Sequence, residues 1–221
     1  MKTRKLFERI ALESISQEKT DTEIEKEVTF YCNVSEPEGL RESDEVIEIK
    51  DSVIKLEKGK IRLREQYFQN EGKSDVKLTI KTPIEDESGV NTSKETSISL
   101  SEQFMESFKS IADTILEFNR YVFSSKNVTH TVVVDDEPKT VELPSVCYEV
   151  DVYKNNPDQA KVDIEVHDLL EAIESKVPET ESGNISRLNV KLSHLPFKPT
   201  EVFDSSDLDK MKEYWEKVKT V

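Results

Sequence analysis

Four short stretches place charged residues, or in one case a threonine, at every second position: Glu23-Ile24-Glu25-Lys26-Glu27, Arg62-Leu63-Arg64, Lys77-Leu78-Thr79-Ile80-Lys81 and Asp163-Ile164-Glu165-Val166. Successive side chains of a β-strand point to opposite faces, so each stretch, as a strand, gathers its charged set on one face. Two stretches are acidic and two are basic. Carboxylate oxygens are the ligands that hard divalent cations take, while Arg and Lys are the donors that grip phosphate oxygens. Faces carrying both signs therefore suit a polyphosphate on the basic side and a divalent cation on the acidic side.

Such strands need a frame, and 221 residues are enough for one sizeable domain with a real core. Charged and hydrophobic residues each make up 35% of the chain, and the apolar ones fall into periodic runs, which reads as folded. The net charge of −15 disfavours broad binding to nucleic acid or to anionic membrane, yet leaves local basic pockets open and gives an acidic exterior that a basic protein partner would fit. No apolar run approaches a membrane span and the N-terminus lacks the apolar core of a secretory signal, so the expected compartment is the cytoplasm. In that compartment Cys32 and Cys147 are expected as reduced thiols. His130, His167 and His194 are far apart and form no zinc pattern. With five glycines in the chain and no glycine-rich phosphate loop, a P-loop or Rossmann site is not expected.

The first twenty or so residues read as a helix, with Leu6, Ile10 and Ile15 at roughly helical spacing. Strand-like alternation then occupies 23–34, 46–57, 60–69, 76–82 and 94–100, separated by turn-forming residues. A helix follows from Ser101, with Phe104, Phe108, Ile111 and Ile115 along one face. Strands are predicted again at 119–124, 129–134, 138–143, 146–153 and 160–167. A short helix near 168–175, a strand near 186–194 and a final helix from about 206, with Leu208, Met211, Trp215 and Val218 inward, complete the chain. The pattern is that of a single α+β domain built on a large antiparallel sheet. Its parts are an N-terminal helical extension (1–22), a strand core (23–167) and a C-terminal strand and helix (168–221).

In the basic stretches, Ile61 and Leu63 oppose Arg62 and Arg64, and Leu78 and Ile80 oppose Lys77, Thr79 and Lys81. If the sheet curls, the apolar faces pack outward against helices and the charged faces line the interior. An isolated buried charge costs several kcal/mol or more, so such an interior requires both signs. Arg62, Arg64, Lys77, Lys81 and Arg120 supply cations, and Glu23, Glu25, Glu95, Asp151, Asp163 and Glu165 supply oxygens.

These stretches, taken in order, resemble the CYTH superfamily, the triphosphate tunnel metalloenzymes. Glu23-Ile24-Glu25-Lys26-Glu27 is similar to the family's opening ExExK strand, and Lys60-Ile61-Arg62-Leu63-Arg64 to its second motif. Lys77-Leu78-Thr79-Ile80-Lys81 resembles its LTIK strand. Lys94-Glu95-Thr96-Ser97-Ile98 resembles the acidic strand before the central helix, and Arg120-Tyr121-Val122-Phe123 the strand after it. Tyr148-Glu149-Val150-Asp151-Val152-Tyr153 and Asp163-Ile164-Glu165-Val166 resemble the closing pair. The resemblance covers residues 23–166. Glu27 stands where the first motif has lysine, Ser97 where a second acid is common, Phe118 where a basic residue is common, and Asp163 where Glu is usual.

The resemblance implies an eight-stranded antiparallel β-barrel, or tunnel, with flanking helices. It implies a divalent metal, Mg²⁺ or Mn²⁺, and hydrolysis of inorganic, nucleoside or thiamine triphosphate. It implies Glu23, Glu25, Asp163 and Glu165 as metal ligands, and Arg62, Arg64, Lys81 and Arg120 as phosphate-binding and catalytic residues. Lys77 is a further expected substrate contact, and Glu95 and Asp151 complete the expected catalytic set by joining the acidic ring or orienting the bases. Two other outcomes fit the same resemblance: a protein without turnover that binds a nucleotide, a polyphosphate or a protein partner, and a class IV-like adenylate cyclase.

Overall fold

The computed structural model describes residues 21–34, 39–84, 91–99, 108–134, 137–165, 199–204 and 207–219. Nine antiparallel strands make one sheet: β1 (Asp21–Val34), β2 (Glu45–Lys55), β3 (Lys60–Phe68), β4 (Lys73–Pro83), β5 (Asn91–Ser99), β6 (Thr114–Val134), β7 (Glu137–Tyr153), β8 (Gln159–Glu165) and β9 (Pro199–Asp204). Their order is β5-β4-β3-β2-β6-β7-β8-β1-β9. β5 pairs a second time, with β1 over Asp21–Glu27. A helix, α1 (Leu208–Val218), follows β9, with the Asp207 side chain accepting from the Lys210 amide at 3.2 Å as its N-cap.

The α+β class and the antiparallel sheet stand as the sequence suggests, but among the described residues the strands number nine and several boundaries move. The intervals 119–124 and 129–134 lie within the single β6, and 138–143 and 146–153 within β7. Those two strands pair from Phe118↔Tyr153 to Val134↔Glu137. Asp21 and Thr22, expected in the N-terminal extension, already belong to β1. Of the helix expected from Ser101, helical geometry is described at Phe108 and Lys109. The helix near 168–175 and the strand near 186–194 lie outside the described residues, as does the helical reading of 1–20. On α1 the inward side is Tyr214 and Val218, with Met211 and Trp215 packed beside them, while Leu208 is 75% exposed. Neither cysteine is in a disulfide, and burial pushes the Cys32 thiol up to about 12. No helix among the described residues is long and apolar enough to cross a membrane.

Period two gives the sheet two working faces. Ile61, Leu63 and Leu78 from one phase of β3 and β4 pack with Ile54 beneath Phe108. The opposite phase, with Arg62, Arg64 and Lys81, faces a cavity on the other side. That second face is not charged throughout. Tyr31, Ile47, Ile49, Phe118 and Tyr153 make its apolar end, and α1 lays Tyr214 and Val218 onto them. Tyr31 meets Tyr214 edge-on with centroids 4.7 Å apart, and Phe118 lies 4.9 Å from Tyr153.

The β2–β3 turn holds the strands in register through Gly59. Its φ is +104°, and a Cβ there would sit 2.2 Å from the Lys81 carbonyl oxygen. Gly59→Ala is therefore expected to destabilise the fold by about 2 kcal/mol or more, from a strained backbone and a contact with main chain that cannot swing aside. Urea denaturation checks this, and an unchanged midpoint would contradict it.

Candidate functional site

The cavity has a volume of about 270 Å³ and takes residues from seven strands and α1. Six carboxylates line it, Glu25 and Glu27 from β1, Asp51 from β2, Glu149 and Asp151 from β7 and Asp163 from β8. Six cations oppose them: Lys60, Arg62 and Arg64 from β3, Lys81 from β4, Arg120 from β6 and Lys161 from β8. Equal numbers of each sign are what make so many partly dehydrated charges tolerable.

Most of these charges are fixed against one another. Arg64 donates from Nε and Nη2 to the two oxygens of Asp51 at 2.8 and 2.7 Å. Arg120 makes the same fork with Asp151 at 2.7 and 2.9 Å and also pairs with Glu149. Lys81 contacts Glu25, Glu27 at 3.7 Å and Glu95 at 3.1 Å. Lys161 pairs with Asp163, which also accepts from Thr29 Oγ1 at 2.8 Å.

The pKa directions follow from this pairing. Burial pushes the Asp51 carboxyl up, but the Arg64 guanidinium and its hydrogen bonds prevail and hold it below the ordinary range. Burial likewise acts against Asp163, and Lys161 overrides it. Glu27 goes the other way, because burial and the nearby Asp163 together raise it. Burial opposes the charge on Lys81 and on Lys161, yet Glu27 and Glu25 raise the first and Asp163 and Glu27 the second.

Arg62 and Lys60 differ from the rest. Arg62 reaches Glu95 at 3.5 Å, yet its buried Nε has no hydrogen-bond partner. Burial, and then the like charge of Arg64, lower its pKa. Lys60 makes no ion pair among the described residues. Burial, followed by Arg62, Lys81 and Lys161, pushes it down to about 8. Protonated Lys60 thus opposes folding in full below about pH 8, and the penalty fades as pH rises from there to the ordinary 10.5. Lys60→Met is expected to raise Tm at pH 7 and to lose that advantage by pH 10.5; a lower Tm at pH 7 would contradict this.

The structure brings Glu25, Arg62, Arg64, Lys81, Arg120, Asp151 and Asp163 to this cavity, with Glu95 buried behind Arg62 and Lys81. Two expected residues are elsewhere. Glu23 is exposed, opposite Glu95 near the start of β1, and is not part of the cavity wall. Lys77 is also exposed, pairing only loosely with its strand neighbour Asp75 at 3.9 Å. It lies opposite Ser99, the last residue of β5, at the margin of the wall. Glu165 is opposite Glu27 in the β1–β8 register.

Lys60 and Glu149 stand in the quoted motifs without an assigned role, and Asp51 and Lys161 are in none of them. Three were findable by extending a charged phase one step, from Arg62 back to Lys60, from Asp151 back to Glu149 and from Asp163 back to Lys161. Asp51 gave no such signal, since it shares its phase with Ile47, Ile49 and Val53. Phe118, unusual for the motif, is explained by packing: the Arg64 guanidinium lies 5.8 Å from its ring centroid.

As a metal site the described residues are incomplete. No group of three or more His, Cys, Asp or Glu among them converges to hold an ion. Glu25 is taken by Lys81 and Ser93, and Asp163 by Lys161 and Thr29. A larger groove of about 1110 Å³ runs between β9 and α1, but its charged residues Asp158, Glu201, Lys210, Glu213 and Lys217 are exposed. It lacks the buried mixed charge that sets the first cavity apart.

No family model and no curated protein matches the chain. Among solved structures it is similar to the PH1819 protein from Pyrococcus horikoshii OT3, at 16% identity and a TM-score of 0.43 over 85% of this chain and 99% of that one. A conserved hypothetical protein from Pyrococcus furiosus matches at 15% identity and a TM-score of 0.40, covering 70% and 93%. The PH1012 protein from Pyrococcus horikoshii OT3 matches at 15% and 0.39, covering 72% and 85%.

Proposed function

We propose that the chain binds a triphosphate in this cavity and hydrolyses it, as a divergent CYTH-like protein. The observation that carries the reading is the convergence of six cations and six carboxylates from seven strands on one cavity, with the Arg62 Nε left unpartnered. The second pairing of β5, with β1, supports reading eight of the strands as a tunnel around it. Mg²⁺ or Mn²⁺ then arrives as part of the substrate, as its triphosphate complex, in keeping with the way Mg²⁺ prefers phosphate oxygens and one or two carboxylates to an all-protein cage. Arg62 supplies donors to a phosphoryl group, and Arg64 and Arg120, held in place by their carboxylates, line the wall beside it.

Hydrolysis is tested by phosphate release from inorganic triphosphate, ATP and thiamine triphosphate with each metal, the products being checked for cyclic AMP. Turnover of any of these above background is expected, and cyclic AMP from ATP would mark the cyclase outcome. The second reading, a polyphosphate or nucleotide binder without turnover, is favoured by one feature. Lys81, Arg64, Arg120 and Lys161 are all already engaged by carboxylates, and Glu27 adds a further negative charge. Background rates with every substrate, together with a ligand-induced rise in Tm, would select that reading.

A further inference from the structure

We infer that Lys60 is a phosphate-contacting residue that forms, with Arg62, the anion-docking end of the cavity. This rests on the triphosphate reading above and assigns it a residue that the motif resemblance does not supply.

Lys60 sits in a patch of unmatched positive charge. In register, Lys60 is flanked by Lys55 on β2 and Lys81 on β4. The largest charge influences on it are Arg62 on its own strand, Lys81 and Lys161 on β8, with Asp51 on β2 acting the other way. Asp51 is already committed, both oxygens being taken by Arg64. The carboxylates beyond it are held by Lys81 and Lys161. Lys60 is left as a half-buried ammonium on the cavity wall with no ion pair among the described residues, next to a guanidinium with an orphaned Nε. Buried polar groups are nearly always satisfied, and donors left over in one place point to an acceptor that the chain does not carry. Two adjacent cations with open donors fit the oxygens of a phosphoryl group.

The test is calorimetric titration of inorganic tripolyphosphate, without metal, at pH 7 into wild type, Lys60→Met, Lys60→Arg and Lys50→Met, the last removing an outer lysine paired with Glu117. Lys60→Met is expected to weaken binding roughly tenfold to a hundredfold, the worth of a charged hydrogen bond. Lys60→Arg should retain most of the affinity, and Lys50→Met all of it. Melting curves on the same samples should show Lys60→Met at least as stable as wild type, so lost affinity cannot be lost fold. Wild-type binding that Lys60→Met leaves unchanged overturns this inference alone. A wild type that binds no tripolyphosphate overturns the parent reading with it.

Discussion

Arg62→Ala is expected to lower phosphate release about a hundredfold to a thousandfold while leaving the protein folded. Arg62 lies in the cavity phase of β3, and its apolar neighbours Ile61 and Leu63 do the packing on the other face. Its charge is poorly served in the unliganded protein: burial and Arg64 work against it, Glu95 is 3.5 Å away, and Nε has no partner. Removing such a group relieves an unfavourable arrangement. Glu95 meanwhile keeps Lys81 at 3.1 Å. Turnover and Tm should therefore separate, with activity lost and Tm equal to or above wild type. Full activity would show that Arg62 does not touch substrate, and a collapsed Tm would show that it is part of the core.

Asp51→Ala should give the reverse. Asp51 is 4% exposed and takes both forks of Arg64, so truncation leaves a guanidinium in the interior without its anion. Breaking a buried pair from one side typically costs about 3–5 kcal/mol, a large share of the stability of a domain this size. Urea denaturation measures the loss, and a change below about 1 kcal/mol would contradict the pairing. The same pair sets an acid limit. The folded-state pKa of Asp51 lies below its ordinary 3.8, so the pair stabilises fully above that value and its contribution fades as pH falls through the lower, folded-state pKa. Wild-type Tm is expected to drop below about pH 4, and Asp51→Asn should flatten that drop.

Local alternation was legible because it is a property of neighbours in sequence. The opposition of Ile61 and Leu63 to Arg62 and Arg64 survives intact, as outer packing layer against cavity wall. What the residues could not announce is whatever depends on a distant partner. β6 and β7 run through 125–128 and through Pro144-Ser145, which read as breaks, because each has the other to pair with on both sides of those points. β9, with no alternation, forms along Phe30–Val34, the stretch of the β1 edge beyond the segment paired with β5. The charged cavity itself was foreseeable as a face but not in its pairing. Nothing in the sequence says that Arg64 will be matched by Asp51 and Arg120 by Asp151, or that Arg62 and Lys60 will be left over. Glu23 and Lys77 fit the alternation as well as their neighbours do, yet Glu23 lies near the start of β1 and Lys77 opposite the last residue of β5, and neither lines the wall.

The most direct test is a crystal structure with a nonhydrolysable triphosphate and Mn²⁺. The expected result is phosphate oxygens within hydrogen-bond distance of Arg62 Nε and the Lys60 ammonium, inside the wall formed by β1 to β4 and β6 to β8. Triphosphate bound only on the outer surface or in the groove beside α1, with Arg62 and Lys60 untouched, would contradict it.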